Sequence, residues 1–107
     1  MIERGDIRWF RFDRPDKRRP VLVLGRRAAV PALSQIVVVP FSTSIRGLPG
    51  EVVLDEQDGM AVRSTIKVEW IRAVDRMSVG SRIAALPAER WAEVRQAVVH
   101  VLGLDDE

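Results

Sequence analysis

The stretch DKRRPVLVLGRR, residues 16–27, decides how the chain is read. A basic run enters Arg19-Pro20, passes through Val21, Leu22, Val23 and Leu24, and leaves through Gly25 into Arg26-Arg27. Four aliphatic residues bounded by a proline and a glycine predict a short strand buried on both faces. Pro20 has no N–H, so it is expected at the first residue of that strand. A residue before proline is driven out of the helical region, which holds Arg19 extended at the strand's mouth. The pattern fixes a cation at the rim of a core.

Upstream, Ile7 and Trp9 alternate with Arg8 and Arg11 over residues 7–12, as a half-buried strand requires. A turn over 13–17, with Pro15 in it, leads directly into the aliphatic run, so the two strands should pair antiparallel across a short basic loop. Downstream, 28–34 is a connection with one helical turn started at Pro31, and 36–39 reads as a central strand ending at Pro40. The polar Ser42-Thr43-Ser44 and the turn-rich Arg46-Gly47-Leu48-Pro49-Gly50 follow. Residues 51–54 return as a strand, 55–59 form an acidic loop, and 81–86 form a last strand. Residues 64–74 are expected as one long or bent strand, with Ile66, Val68 and Trp70 on one face and Lys67 and Glu69 on the other. Six short strands with tight connections suggest a small barrel.

The period then changes. Pro87-Ala88-Glu89 opens a helix in which Trp91, Val94, Val98, Val101 and Leu102 recur at helical spacing before Gly103 closes it. That stripe is core or dimer contact, and Trp9 and Trp70 are assigned to the core ahead of a role as base-stacking platforms. His100 falls opposite the stripe, beside Glu89, Glu93 and Gln96, and is expected to be solvated.

A chain of 107 residues makes a single domain, 1–107, small enough that pairing with a second copy would add useful burial. The absence of cysteine removes disulfides and thiolate metal sites, and a single histidine argues against a histidine-based metal site. The N-terminus is charged and the apolar runs are short, so no signal peptide or membrane span is expected and a cytoplasmic location is the default. The net charge of +2 hides a basic first quarter: residues 1–27 carry nine basic side chains against four acidic ones. All but two of the 17 basic residues are arginine, the side chain that grips phosphate with two parallel hydrogen bonds. A compositional bias toward arginine accounts for scattered ones, but the cluster around Arg19 points to a polyanion, nucleic acid foremost.

Several stretches in this order carry a resemblance: RGD-x-x-W near the N-terminus, RRPVLVL, VVVPFSTSIRGLPGEVVL, IKVEWIRAVD and a helix closing in VLGL. Together they resemble the MazF/PemK/Kid group of bacterial toxin endoribonucleases over nearly the whole chain. The resemblance implies a mainly β fold with a C-terminal helix, a small SH3-like β-barrel, acting as a homodimer with neither metal nor other cofactor. It implies cleavage of single-stranded RNA by attack of the RNA's own 2′-hydroxyl, leaving a 2′,3′-cyclic phosphate and a 5′-hydroxyl. It also implies a cognate antitoxin with an acidic tail that competes with RNA for the basic surface.

The family's arginine before the second-strand proline corresponds to Arg19, and its threonine after the VVP strand corresponds to Ser42, where serine keeps the hydroxyl but loses the methyl that stiffens the rotamer. An arginine and an aspartate that look like an acid and base pair in Kid-like members correspond to Lys67 and Glu69. Two residues apart on a strand, both could reach one phosphate, or they could form a surface ion pair of little energetic weight. A guanidinium gives up its proton poorly, so Arg19 is assigned to holding phosphate oxygens. Lys17, Arg18, Thr43 and Arg46 are placed as RNA-binding residues, with capping of the turn a second reading for Thr43. The first loop is short and lacks the Gly-Ser-Glu-Gln type sequence of many members, so the cut sequence does not carry over. The rival readings are an inactive RNA- or antitoxin-binding module and a CcdB-like gyrase poison, whose Trp-Gly-Ile end is replaced here by Leu104-Asp105-Asp106-Glu107.

Overall fold

The computed structural model describes residues 1–12 and 18–106, so the predicted basic turn at 13–17 lies outside the described residues. Among them are seven strands: β1 (Asp6–Arg11), β2 (Arg18–Val23), β3 (Gln35–Ser42), β4 (Glu51–Leu54), β5 (Ser64–Lys67), β6 (Arg72–Asp75) and β7 (Val79–Ala85). One helix, α1 (Trp91–Leu102), closes the chain, entered through a 3-10 turn at Ala88–Arg90 and ended by Gly103 at φ +65°. The strands form one antiparallel sheet in the order β4-β5-β3-β2-β1-β7, with β6 also paired to β3. Its outer strands β4 and β7 are not paired with each other, so the expected small barrel is an unclosed sheet with the C-terminal helix packed on it.

The 16–27 stretch folds as its pattern dictates. On β2, Leu22 joins one core with Ile7, Phe41 and Ile66, while Val21 and Val23 join a second with Phe10, Ile36 and Val38. Both faces are buried, as four consecutive aliphatic residues require. The start of the strand differs from expectation, because β2 begins at Arg18 and not at Pro20. Arg18, Arg19 and Pro20 already pair with Arg11, Phe10 and Trp9 of β1, whereas pairing with β3 starts only at Val21↔Pro40. Pro20 therefore lies inside the strand but at the end of one of its two ladders, where the missing N–H is tolerated.

Pro40 does not end β3 either. The strand runs on to Ser42 and remains paired with β2 through Pro40. On its other side β3 changes partner here: its first half pairs with β6 up to Val38↔Arg72, and its end pairs with β5 from Phe41↔Ile66. Between those two registers, Val39 and Pro40 stand opposite the five residues from Lys67 to Ile71. The expected single strand over 64–74 is thus two strands joined by a 3-10 turn at Val68–Trp70, bulged where the facing proline offers no donor. Val68 stays buried, but Trp70 is turned out to 42% exposure and is not a core residue.

The helix stripe buries Val94 and packs Trp91, Val98 and Val101 against the first core, with Ala97 buried beside them. Leu102 stays exposed, and so does His100, as expected of a residue on the outer face. Arg90 docks the helix start by donating to Asp58 Oδ2 at 2.8 Å and to the Val53 carbonyl at 2.7 Å. Among the described residues, no helix is long and apolar enough to cross a membrane.

Gly5 ties three elements together: its N–H donates to the Val23 carbonyl at 2.9 Å, and its own carbonyl accepts from Leu86 at 2.8 Å. Its φ is +90°, and a Cβ there would stand 3.1 Å from the Trp91 ring. Gly5→Ala should therefore cost about 1–2 kcal/mol from the left-handed backbone alone, read as a lower urea midpoint with an unchanged slope.

Candidate active site

The chain gathers its groove residues around the end of β3. Arg19 extends from β2, and its Nη1 donates to the Phe41 carbonyl at 3.2 Å. One step beyond the Val21↔Pro40 pair, Phe41 falls opposite Pro20, which has no N–H to give it. The guanidinium next door thus reaches a carbonyl for which the ladder supplies no donor at that step. The same guanidinium lies 5.5 Å from the Trp70 ring centre and 5.9 Å from that of Phe12. Held by a carbonyl and flanked by aromatic faces, it has a fixed place at the rim of the core.

Ser42 closes β3. Its Oγ accepts the Ser44 N–H at 3.0 Å, so Ser42, and not Thr43, supplies the hydroxyl that caps this turn. Thr43 is exposed beside it. Arg18 is exposed, with its guanidinium 4.1 Å over the half-buried Trp9 ring. Lys17 lies outside the described residues.

Lys67 and Glu69 come together by a different route from the one the sequence suggested. The strand stops at Lys67, and the 3-10 turn, not strand alternation, brings Glu69 Oε1 to 3.7 Å from Lys67 Nζ. Their environments differ sharply. Lys67 is only 6% exposed and is paired with Glu51 Oε2 at 3.0 Å, whereas the Glu69 side chain is 41% exposed. Glu51 is the junction of this region. Its other oxygen, Oε1, accepts the N–H groups of Arg46, Gly47 and Leu48 at 3.0, 2.7 and 3.3 Å. Burial pushes the Glu51 carboxyl up, but the hydrogen bonds from Lys67 and from those backbone groups outweigh it and hold it down at about 2.

Three adjoining depressions make one groove. A cavity of about 690 Å³ is lined by Arg19, Glu69, Trp70 and Arg72 together with Phe12, Pro40 and Ile71. A second, of about 380 Å³, holds Arg18, Arg19, Ser42 and Thr43 beside Trp9. A third, of about 430 Å³, holds Ser42, Arg46, Lys67, Glu69 and Trp70. Arg19 is shared by the first two, Ser42 by the last two, and Glu69 with Trp70 by the first and third. A donor-rich cation, a hydroxyl and an exposed carboxylate therefore face a continuous surface, the set needed to hold a phosphate and move a proton.

The family model described as "PemK-like, MazF-like toxin of type II toxin-antitoxin system" matches residues 3–102. The chain belongs to that family. Among its relatives, MazF5 of Mycobacterium tuberculosis is 37% identical over 97 residues, 90% of this chain and 84% of that protein. The endoribonuclease MazF3 of the same species is 31% identical over 90 residues, 84% of this chain and 87% of that protein. Among solved structures, the Mycobacterium tuberculosis toxin MazF-mt6 superposes with a TM-score of 0.84 at 28% identity, covering 92% of this chain and 96% of that one. A MazE-MazF complex from Deinococcus radiodurans matches with a TM-score of 0.78 at 29% identity, covering 95% of each chain.

For this MazF-like toxin, sequence reasoning missed Trp70, Phe12 and Arg72 as groove residues and Glu51 as the buried junction behind them. Glu51 was legible in part: once 51–54 and 64–67 are laid antiparallel, Glu51 stands directly opposite Lys67. Trp70 was not, because its outward turn depends on Pro40 across the sheet.

The Glu51 carboxyl sits at about 2 in the fold against an ordinary 4.5, so its contribution is complete above pH 4.5 and is lost as pH falls toward 2. Glu51→Gln should cost about 3 kcal/mol at neutral pH by stranding the buried Lys67 ammonium. Urea unfolding followed from pH 6 to pH 2 should then show a shallower acid loss in the variant than in the wild type.

Proposed function

We propose that this MazF-type toxin endoribonuclease is a sequence-specific, metal-independent enzyme that cleaves single-stranded RNA by 2′-hydroxyl attack and so inhibits translation and growth. The observation that carries the reading is that Arg19, Ser42 and Glu69 line one groove in a chain of this family. Arg19 holds the non-bridging oxygens of the target phosphate, a task suited to a planar fork that stays charged. Accepting the Ser44 N–H leaves the Ser42 hydroxyl hydrogen to donate to the same phosphate. Together they stabilise the extra negative charge of the five-coordinate transition state.

Glu69, the exposed member of its ion pair, takes the proton from the 2′-hydroxyl. The 2′-oxygen bonds to phosphorus, the bond to the 5′-oxygen breaks, and that oxygen is protonated by solvent. A 2′,3′-cyclic phosphate and a 5′-hydroxyl remain. Lys67, buried between Glu51 and Glu69, aims the Glu69 carboxylate and does not touch RNA itself. Arg18, Arg46 and Thr43 follow the phosphates on either side, a role also assigned to Lys17, next to Arg18 in the sequence.

The partners follow from the same surface. A cognate antitoxin inhibits by laying an acidic tail into the arginine-lined groove, in competition with RNA. The toxin works as a homodimer, in which a second copy covers apolar side chains left exposed at the helix end, Leu102 and Leu104.

Cleavage of mixed-sequence single-stranded RNA in EDTA, with the new ends mapped, checks this reading. The wild type should cut at a recurring short sequence and leave cyclic phosphate. Arg19→Ala should be about a hundred- to a thousandfold slower. RNA bound but never cut would shift the reading to a binding module. Simultaneous, independent binding of RNA and antitoxin would exclude the competition.

A further inference from the structure

The 690 Å³ cavity has a composition that phosphate binding does not explain. Besides Arg19, Glu69 and Arg72, its walls are the Phe12 and Trp70 rings with Pro40 and Ile71, an apolar lining that holding a phosphate does not require. Trp70 is among the largest side chains left exposed on the described surface, at 42%. The chain holds it out through a turn that buries the neighbouring Val68 and Lys67. The exposed Arg72 also lines the cavity, with its guanidinium 5.6 Å from the Phe12 ring centre, within cation–π reach. Arg19 is common to this cavity and to the one that holds Ser42, so an occupant here would lie immediately beside a phosphate held by Arg19.

We propose that this cavity is a nucleobase subsite, in which an unpaired base flanking the scissile phosphate stacks on Trp70 while Arg72 reads its edge. The inference rests on the ribonuclease reading and adds a determinant of the cut sequence to it. Stacking on an aromatic side chain accepts any base, because each has a π face. Arg72 adds selectivity, because a guanidinium only donates hydrogen bonds. Guanine (O6 and N7) and cytosine (O2 and N3) each present two adjacent acceptors to such a fork, whereas each ring-nitrogen acceptor of adenine stands alone. The subsite therefore favours guanine or cytosine over adenine. Because Trp70 and Arg72 act on binding, their loss should appear in affinity and KM before it appears in kcat.

The test uses the full-length protein and a short RNA carrying the mapped cut site, made uncleavable by a single 2′-deoxy substitution at the attacking ribose. An abasic residue is placed in turn on each side of that site, and affinity is measured by titration. At one of the two positions, loss of the base should weaken wild-type binding about ten- to a hundredfold. Trp70→Ala should bind the intact RNA that much more weakly and be indifferent to the abasic change, while Trp70→Phe should recover most of the affinity. With cleavable RNA, adenine at that position should raise the wild-type KM about tenfold over guanine or cytosine, and Arg72→Ala should erase that difference. If Trp70→Ala and the abasic substitution weaken binding independently at both positions, the base lies elsewhere and the subsite is refuted, even with wild-type cleavage intact. Should Trp70→Ala fail to fold, the Phe and Arg72 variants decide the matter alone. Failure of the wild type to cut or bind any RNA would overturn the ribonuclease reading itself, a result separable from the first.

Discussion

Two missing hydrogen-bond donors shape the groove. Pro20 and Pro40 sit on neighbouring strands, each where a ladder would otherwise continue. At Pro20 the loss leaves the Phe41 carbonyl to Arg19, so a guanidinium is held where a backbone amide would have been. At Pro40 the loss coincides with the change of partner on β3, and the facing chain bulges out by a 3-10 turn. That turn carries Glu69 and Trp70 to the surface and leaves Val68 in the core. A buried backbone group without a partner costs free energy comparable to a lost hydrogen bond, so a strand tolerates proline only where the neighbouring chain can adapt. The adaptation here brings a cation and a carboxylate to adjoining walls.

The Glu51–Lys67 pair does the second part of the positioning. Taking two charges out of water costs several kcal/mol each, and a buried pair is a poor source of net stability on its own. What it supplies is definition. One carboxylate oxygen meets Lys67 across the β4–β5 register, and the other gathers three consecutive amides of the loop after Ser44. The loop that carries Arg46 is thereby tied to the strand that carries Lys67, and Lys67 in turn approaches Glu69. Weakening this one carboxylate would loosen both sides of the third depression together.

The sequence was informative where a residue answers to its own neighbours and silent where it answers to a strand far along the chain. Periodicity over 7–12, 21–24, 36–39 and 91–102 located β1, β2, β3 and α1, because burial on one or both faces is written in local alternation. The proline rule correctly made Arg19 extended, but it set the start of β2 at Pro20 where the strand begins at Arg18, and it mislaid the strand end at Pro40. Whether a missing donor matters depends on what lies alongside, and the 64–75 segment is remote in sequence. The same remoteness hid Trp70: an apolar residue two places from Val68 reads as core until the bulge inverts it. Ser42 and Thr43 show a finer limit, since two adjacent hydroxyls are equivalent on paper and only the backbone path after β3 chooses which one caps the turn.

Arginine is so abundant in this chain that an arginine in the groove says little by its presence alone. The lysine at 67 says more. A compact ammonium can be enclosed between two carboxylates on a strand flanked by backbone, whereas a guanidinium needs a broad planar site and five donors satisfied. Three exposed or half-exposed cations of the groove, Arg18, Arg19 and Arg72, lie against the rings of Trp9, Phe12 and Trp70, where a flat, weakly hydrated ion gains most. Lys67 also lies near Trp70, at 5.3 Å, yet it is the cation that is buried and twice paired. The two residue types thus divide the work by their solvation: arginine where charge must meet a polyanion from the surface, lysine where charge must be hidden to aim a carboxylate.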